Sequence, residues 1–420
     1  MKLKCLQPLL AAGALSLSGS ALAATELVVQ YPYGGSFKQT FEQIQQEFEA
    51  QHPDIKLTFR APYENYEDGT QKVLREAITQ RLPDVSFQGL NRLRILVERD
   101  IAVSLEPFIA EEADFARDGY HQAMLDIGTH EQQVYGLPFA VSLPIAYYNM
   151  DLVRQAGWDE SRLPQNWDQV IELSRQIDAL GEDITGMVYG WQITGNWLWQ
   201  APVFSRGGAM LSADEKEVAF NGKEGQWAMN TFARFVNEGG MRNYSQADGQ
   251  QAFYSGKAGM WFYSTSNVTN AESMIGDRFE MKTHAFPGVT EGGALPAGGN
   301  AVVMLTKDKE KQQAAWQFIK FATSGKGAAI VAETTGYMPP NKKANEQYLQ
   351  DFYATHPNHY TAVKQLPLMA DWYAFPGKNG LKITQVIHDH MQSIASGNRA
   401  GEPTAVLAEM ASDVQQLLPR

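Results

Sequence analysis

Cysteine is almost missing: among 420 residues there is one, Cys5. From Ala24 onward no thiol remains, which excludes disulfide staples, thiolate metal sites and a cysteine nucleophile there. Such a chain must be held by its core alone. Long apolar runs are lacking as well. The stretch Leu9–Leu17 is far shorter than the ~20 residues a bilayer span needs, and Gly13, Ser16, Ser18 and Gly19 interrupt its neighbourhood. Basic runs are scarce, and the net charge is −12. Nucleic acid and anionic membrane surfaces are therefore poor partners.

Enzyme signatures are thin too. There is no G-x-S-x-G elbow, and no G-x-G-x-x-G follows the first strand. Two stretches end like a phosphate loop, at Gly256-Lys257 and Gly325-Lys326. Their leading glycine is replaced by Gln251 and Lys320, which removes both. His356, His359, His388 and His390 show no third ligand at a metal-site spacing. His388 and His390, two apart in an expected helix, point away from each other, as surface histidines would. Pairs such as Glu111-Glu112 read as solvated helix faces. No carboxylate pair stands out for glycoside chemistry, although pairs made by the fold are invisible in sequence.

What is present begins at the N-terminus. Lys2 and Lys4 precede a short apolar run, and Ala21-Leu22-Ala23 offers small residues where a signal peptidase inspects the chain. Residues 1–23 read as a secretory signal cleaved after Ala23, and the missing arginine argues against mitochondrial targeting. The remaining 397 residues lose two lysines with the signal and carry −14. That length suits two domains or one large one.

Strand and helix signals then alternate. Leu27-Val28-Val29 reads as a strand and Tyr31–Gly35 as a turn. Ser36 is placed to cap a helix bearing Phe37, Phe41, Ile44 and Phe48. A second strand is expected at 55–59, a helix over 66–81 and a third strand at 85–88. Asn166 reads as an N-cap with Gln169 in the capping-box position, and a helix is expected over 311–323. The alternation predicts an α/β fold with a largely parallel sheet. Glycine and proline cluster at 136–144, 286–299 and 336–340, the candidate crossings between two lobes.

The run GLPFAVSLPIAYYNMDLVRQAGW, followed by PQNWDQVIEL, resembles the family 1 extracellular solute-binding proteins of ABC importers, the maltose-binding and glycerol-3-phosphate-binding proteins among them. Phe253–Met260 and the late stretch Lys320-Phe321 with Thr335–Pro339 match further family pieces in order. The resemblance implies an α/β, two-lobed periplasmic-binding-protein fold with a multi-segment hinge and a ligand cleft between the lobes. It places one lobe at 24–139 plus 297–340 and the other at 143–293 plus 346–420. It implies a periplasmic, non-catalytic, monomeric protein without cofactor or metal. Its expected partners are a small carbohydrate and the membrane subunits of an ABC importer.

Carried over residue by residue, the resemblance nominates Tyr31 and Tyr33 after the first strand, Tyr66, Gln88, the hinge residue Ser142 and a cleft tryptophan at Trp191. Ser264, Ser266, the backbone of Gly298 and Gly299, and Tyr337 complete the set. Planar rings suit the C–H faces of a sugar and short polar groups its hydroxyls. Each also has a packing role open to it: Tyr31, Trp197 and Trp199 suit a core, and the glycine pair suits a turn. The glycerol-3-phosphate member has a glutamate where Gln88 stands and an arginine near Ile383-Thr384-Gln385. Here only Lys378 and Lys382 lie nearby. A phosphate needs charge-assisted donors, so a neutral sugar is the expected ligand, a glycerol phosphate or glycerophosphodiester the alternative, and a secreted glycoside hydrolase the reading of another class.

Overall fold

The computed structural model describes residues 24–120 and 122–419, so the proposed signal lies outside the described residues. The first lobe opens with β1 (Thr25–Gln30), whose Leu27 and Val29 are fully buried. It is followed by helix Gly34–Gln51, β2 (Ile55–Phe59), helix Tyr66–Ile78 and β3 (Val85–Gly89). β1 pairs in parallel with both β2 and β3, as expected of a β-α-β start. The helix begins at Gly34 rather than after Ser36. Tyr33, in the left-handed region at φ 51°, precedes it and supplies no side-chain cap. The helix from Tyr66 is conventionally capped, Asp68 N donating to Asn65 Oδ1 at 2.9 Å. It stops at Ile78, short of the expected Arg81, as Gln80 turns left-handed at φ 55°.

β4 (Gly136–Ser142) leads through Leu143 into β5 (Pro144–Asn149) of the second lobe. That lobe adds β6 (Thr185–Tyr189), β7 (Ala258–Ser264) and β8 (Met281–Ala285). β9 (Gly298–Met304) then returns to the first lobe and lies between β3 and β4. The sheet orders are β2-β1-β3-β9-β4 and β8-β5-β7-β6. In each sheet all strands but one run the same way, so the sheets are largely parallel in direction, with β9 and β5 the reversed strands. β9 comes back from the other lobe and so enters its sheet from the far end, antiparallel to β3 and β4.

The first lobe has a core of its own, and the core of the second extends to Tyr66, Leu90, Met124 and Ala301 of the first. In the first, Phe41 and Phe87 meet at 4.7 Å and Phe87 and Phe139 at 4.6 Å, between the sheet and the helices Gly34–Gln51 and Lys309–Thr323. In the second, Trp167 packs on Phe235 and Phe262 at about 5 Å. The helices Gly380–Ala395 and Pro403–Leu417 join this second core through Ile383, Ile387, Val406 and Met410. Among the described residues the chain passes between the lobes three times, and the passages lie side by side. Gly298 is opposite Ser142, and Met338 bridges Val141.

Candidate functional site

A cavity of about 940 Å³ opens between the two sheets, at the ends of β4, β7 and β9 and beside the three passages. Strand ends and switch points are where α/β folds gather ligand groups, because loops there are free to vary over a rigid sheet.

The first lobe contributes Tyr33 and Tyr66, which meet edge to face at 5.1 Å. Tyr66 stands on the first turn of its helix, and its hydroxyl oxygen accepts from Asn300 Nδ2 at 3.2 Å. Burial pushes the phenols of Tyr33 and Tyr66 well up, and the nearby Tyr337 adds to it, so both are hydrogen-bonding hydroxyls at any physiological pH. Tyr337 lies stacked on Phe37 at 5.4 Å, and its backbone N–H donates to Thr335 Oγ1 at 3.1 Å. The second lobe contributes Tyr263, stacked on Trp261 at 4.4 Å, whose hydroxyl accepts from Gln246 Nε2 at 2.7 Å. Ser264 Oγ accepts from Ser266 N at 3.1 Å, which fixes the turn that presents both serines. Trp197 and Trp372 form the indole wall, 6.3 Å apart. Trp197 Nε1 donates to Pro296 O at 3.0 Å, and Trp372 Nε1 donates to Gly195 O at 3.2 Å, so both rings are anchored.

The remaining lining is amide and hydroxyl: Gln39, Asn65, Gln192, Gln250, Asn267, Asn270, Thr334 and Thr335 among others. Glu64 is the single charged residue, and no lysine, arginine or histidine is among the lining residues described. Lys378 and Lys382 are not part of the wall.

The structure brings Tyr33, Tyr66, Ser142, Ser264, Ser266, Gly298, Gly299 and Tyr337 to this wall. Tyr31, Gln88 and Trp191 it places elsewhere. Tyr31 packs against Phe41 at 4.2 Å and Phe59 at 5.7 Å in the first core. Strict alternation would put Tyr31 and Tyr33 on one face, but the left-handed backbone at Tyr33 breaks it. Gln88, 1% exposed, is closed off beneath the helix Tyr66–Ile78, accepting from Thr70 Oγ1 at 3.1 Å and donating to Ser86 Oγ at 2.8 Å. Trp191 fills the second core between Phe232 and His388. The indole facing the cavity from that stretch is Trp197, six residues on.

The glycine pair is there for space. A Cβ on Gly299 would stand 1.8 Å from the Ala140 carbonyl, and φ is 113°. A Cβ on Gly298 would meet Ser142 Oγ at 2.8 Å. Only glycine lets β9 approach β4 at the mouth of the cleft. Sequence reasoning missed Trp372, Tyr263, Gln246 and Gln250. The two glutamines sit four apart at the start of helix Gln246–Tyr254, a one-face spacing that could have drawn attention. Trp372 sits in an irregular stretch with no periodic signal.

The model of the family "Bacterial extracellular solute-binding protein" matches residues 43–361, most of the chain. The chain belongs to that family. Among its relatives is the sn-glycerol-3-phosphate-binding periplasmic protein UgpB of Shigella flexneri, 24% identical, with 97% of this chain and 95% of the relative covered. UgpB of Mycobacterium tuberculosis, solved with glycerophosphocholine, superposes with a TM-score of 0.83 at 20% identity over 94% of this chain and 98% of that one. The maltose-bound MalE3 of Thermotoga maritima does so at 0.78 and 18%, over 94% and 100%. These likenesses establish the two-lobed solute-binding fold. Among the described residues of this solute-binding protein no helix is long and apolar enough to cross a membrane.

Proposed function

We propose that this solute-binding protein is the periplasmic, non-catalytic capture subunit of an ABC importer, taking a neutral carbohydrate between its lobes and handing it to the membrane subunits. The observation that carries the ligand class is the cavity wall: rings, amides and hydroxyls with one carboxylate and no cation. Hydroxyl-rich ligands suit such a wall, since each sugar hydroxyl donates and accepts while the ring C–H face packs on an indole or phenol. A phosphate dianion wants an arginine fork or comparable charge-assisted donors, and neither Lys378 nor Lys382 reaches the wall. The lobes of this reading are 24–139 with 297–340 and 143–293 with 346–420. Sheet membership supports that division. Export rests on the signal at 1–23, and N-terminal sequencing of the exported protein is expected to begin at Ala24.

A glycerophosphodiester is the second reading, and Glu64 favours it. A carboxylate on a wall that also carries Tyr33 and Tyr66 suits a quaternary ammonium, and the diester carries a single negative charge. Isothermal calorimetry with maltose, maltotriose, glucose, glycerol-3-phosphate and glycerophosphocholine separates the two. Binding of a sugar alone supports the first. Binding of glycerophosphocholine with no sugar binding replaces it by the second.

A further inference from the structure

Arg94 stands on the short helix Leu93–Glu98 that follows β3 in the first lobe. Glu215 stands in the second lobe, at the tip of the turn closed by the bridge between Leu211 and Val218. Their side chains meet as a fork. Arg94 Nη1 donates to Glu215 Oε1 at 2.7 Å, and Nη2 donates to Oε2 at 2.8 Å. The Tyr373 hydroxyl donates to Oε1 at 2.9 Å. None of the three lines the cavity. Glu98, one helical turn on, steadies Arg94 through its Nε at 2.7 Å.

The turn holds the carboxylate out rigidly. Glu215 sits at φ 56°, a region that glycine enters freely and a branched or long residue does not. Glu217 N donates to Ser212 Oγ at 3.0 Å within the turn. The turn is also tied to the helix Pro403–Leu417. Val218 N donates to Gln415 Oε1 at 2.8 Å, and Gln415 Nε2 donates to Lys216 O at 2.7 Å. A lone surface ion pair contributes little, because two mobile side chains must be frozen to make it. Here a planar fork, a tethered turn and a third hydrogen bond have ordered the partners beforehand.

Among the described residues three passages join the lobes, so their relative setting is the soft coordinate of the molecule. A contact made between the lobes in one setting stabilises that setting over every other. We infer that Arg94, Glu215 and Tyr373 form an interlobe latch that limits how far the cleft stands open before ligand arrives. Apparent affinity scales with the fraction of molecules in the binding-competent setting. The latch therefore tunes affinity from residues that touch no ligand.

The test is made on the ligand-free protein and does not depend on the ligand's identity. The chain from Ala24 has no cysteine, so Lys38→Cys in the first lobe and Arg175→Cys in the second, both exposed, carry a dye pair. Single-molecule energy transfer and small-angle scattering then report the interlobe distance and the radius of gyration. Arg94→Gln and Glu215→Gln are each expected to lower the transfer efficiency and enlarge the radius. The exchanged pair Arg94→Glu with Glu215→Arg is expected to restore both. Added salt should open the wild type and leave the single variants unmoved. Glu215→Gly, which suits the backbone of the turn, serves if the glutamine variant folds poorly. Single variants that melt like the wild type and keep its distance distribution would overturn the latch. So would an exchanged pair no closer to the wild type than the sum of its parts.

Discussion

Three tryptophans lie within nine residues, Trp191, Trp197 and Trp199, and only one of them faces the cavity. Trp191 is 4% exposed and bears on Phe232 and His388. Trp191→Ala is therefore expected to lower stability by about 3–5 kcal/mol, the range for emptying a large aromatic site. Ligand affinity per folded molecule should not change. Trp372 is 5% exposed and packs on Tyr66 and Trp197 at the cavity, so Trp372→Ala should do both, lowering stability and also weakening binding per folded molecule by about 1–3 kcal/mol as the loss of an anchoring ring does. Denaturant titration beside calorimetry on the folded fraction separates the two effects. If Trp191→Ala abolished binding with its stability intact, the assignment of this ring to the core would be wrong. Gly299 gives a sharper case. Alanine there would collide with the Ala140 carbonyl at a positive φ, so Gly299→Ala is expected to cost more than about 1–3 kcal/mol. A melting temperature equal to the wild type's would show that β9 can move away from β4.

At the scale of elements, residues 357–359 are joined to the rest of the second lobe by Thr283, whose N–H donates to Asn358 Oδ1 at 3.0 Å, and by one carboxylate, Glu272. Asn358 Nδ2 donates to Glu272 Oε1 at 2.9 Å, and His359 Nε2 lies 3.4 Å from Oε2. Burial alone would raise the Glu272 carboxyl. The hydrogen bonds from His359 and Asn358 outweigh it and hold the group below the ordinary carboxylate range. A carboxyl depressed in the folded state contributes stability that is complete above its unfolded value and is lost as pH falls through its folded value. Glu272→Gln is expected to melt lower than the wild type at neutral pH, by the equivalent of about 1 kcal/mol. The two curves should converge in acid. A constant gap from neutral pH down to acid would assign the effect to packing instead. Local signals served well for elements whose caps lie in the chain. Gln169 N donates to Asn166 Oδ1 at 3.0 Å, as the capping pattern anticipates. They served poorly at Gly34, where the helix begins on a left-handed tyrosine with no side-chain cap to announce it.

At the scale of the whole molecule, the first lobe has a phenylalanine-rich core of its own, whereas the core of the second lobe reaches Tyr66, Leu90 and Ala301 of the first. Bound ligand is expected to bring the lobes together about the passages at Leu143, Ala297 and Met338 and to reduce the radius of gyration. Scattering with and without a ligand verified by calorimetry reads this directly. An unchanged radius with binding established would mean that the lobes are already closed or that the passages do not flex.

The amino-acid sequence alone carried the family resemblance, the first strands and helices, and eight of the residues that the structure places on the cavity wall. These are local properties: periodicity, caps, turn residues and motif spacing survive without knowledge of distant neighbours. It did not decide which aromatic rings face the cavity. Tyr31 and Tyr33 differ in role because one residue adopts a left-handed backbone. Trp191 and Trp197 differ because helices more than thirty and more than a hundred and eighty residues away cover the first and leave one face of the second at the cleft. Nor did it decide that Arg94 meets Glu215, a contact spanning 121 residues and two lobes. Such pairings are fixed by how the chain passes between the lobes and by β9 returning against β4. That arrangement minimises free energy over the whole chain and leaves no signature in any one segment.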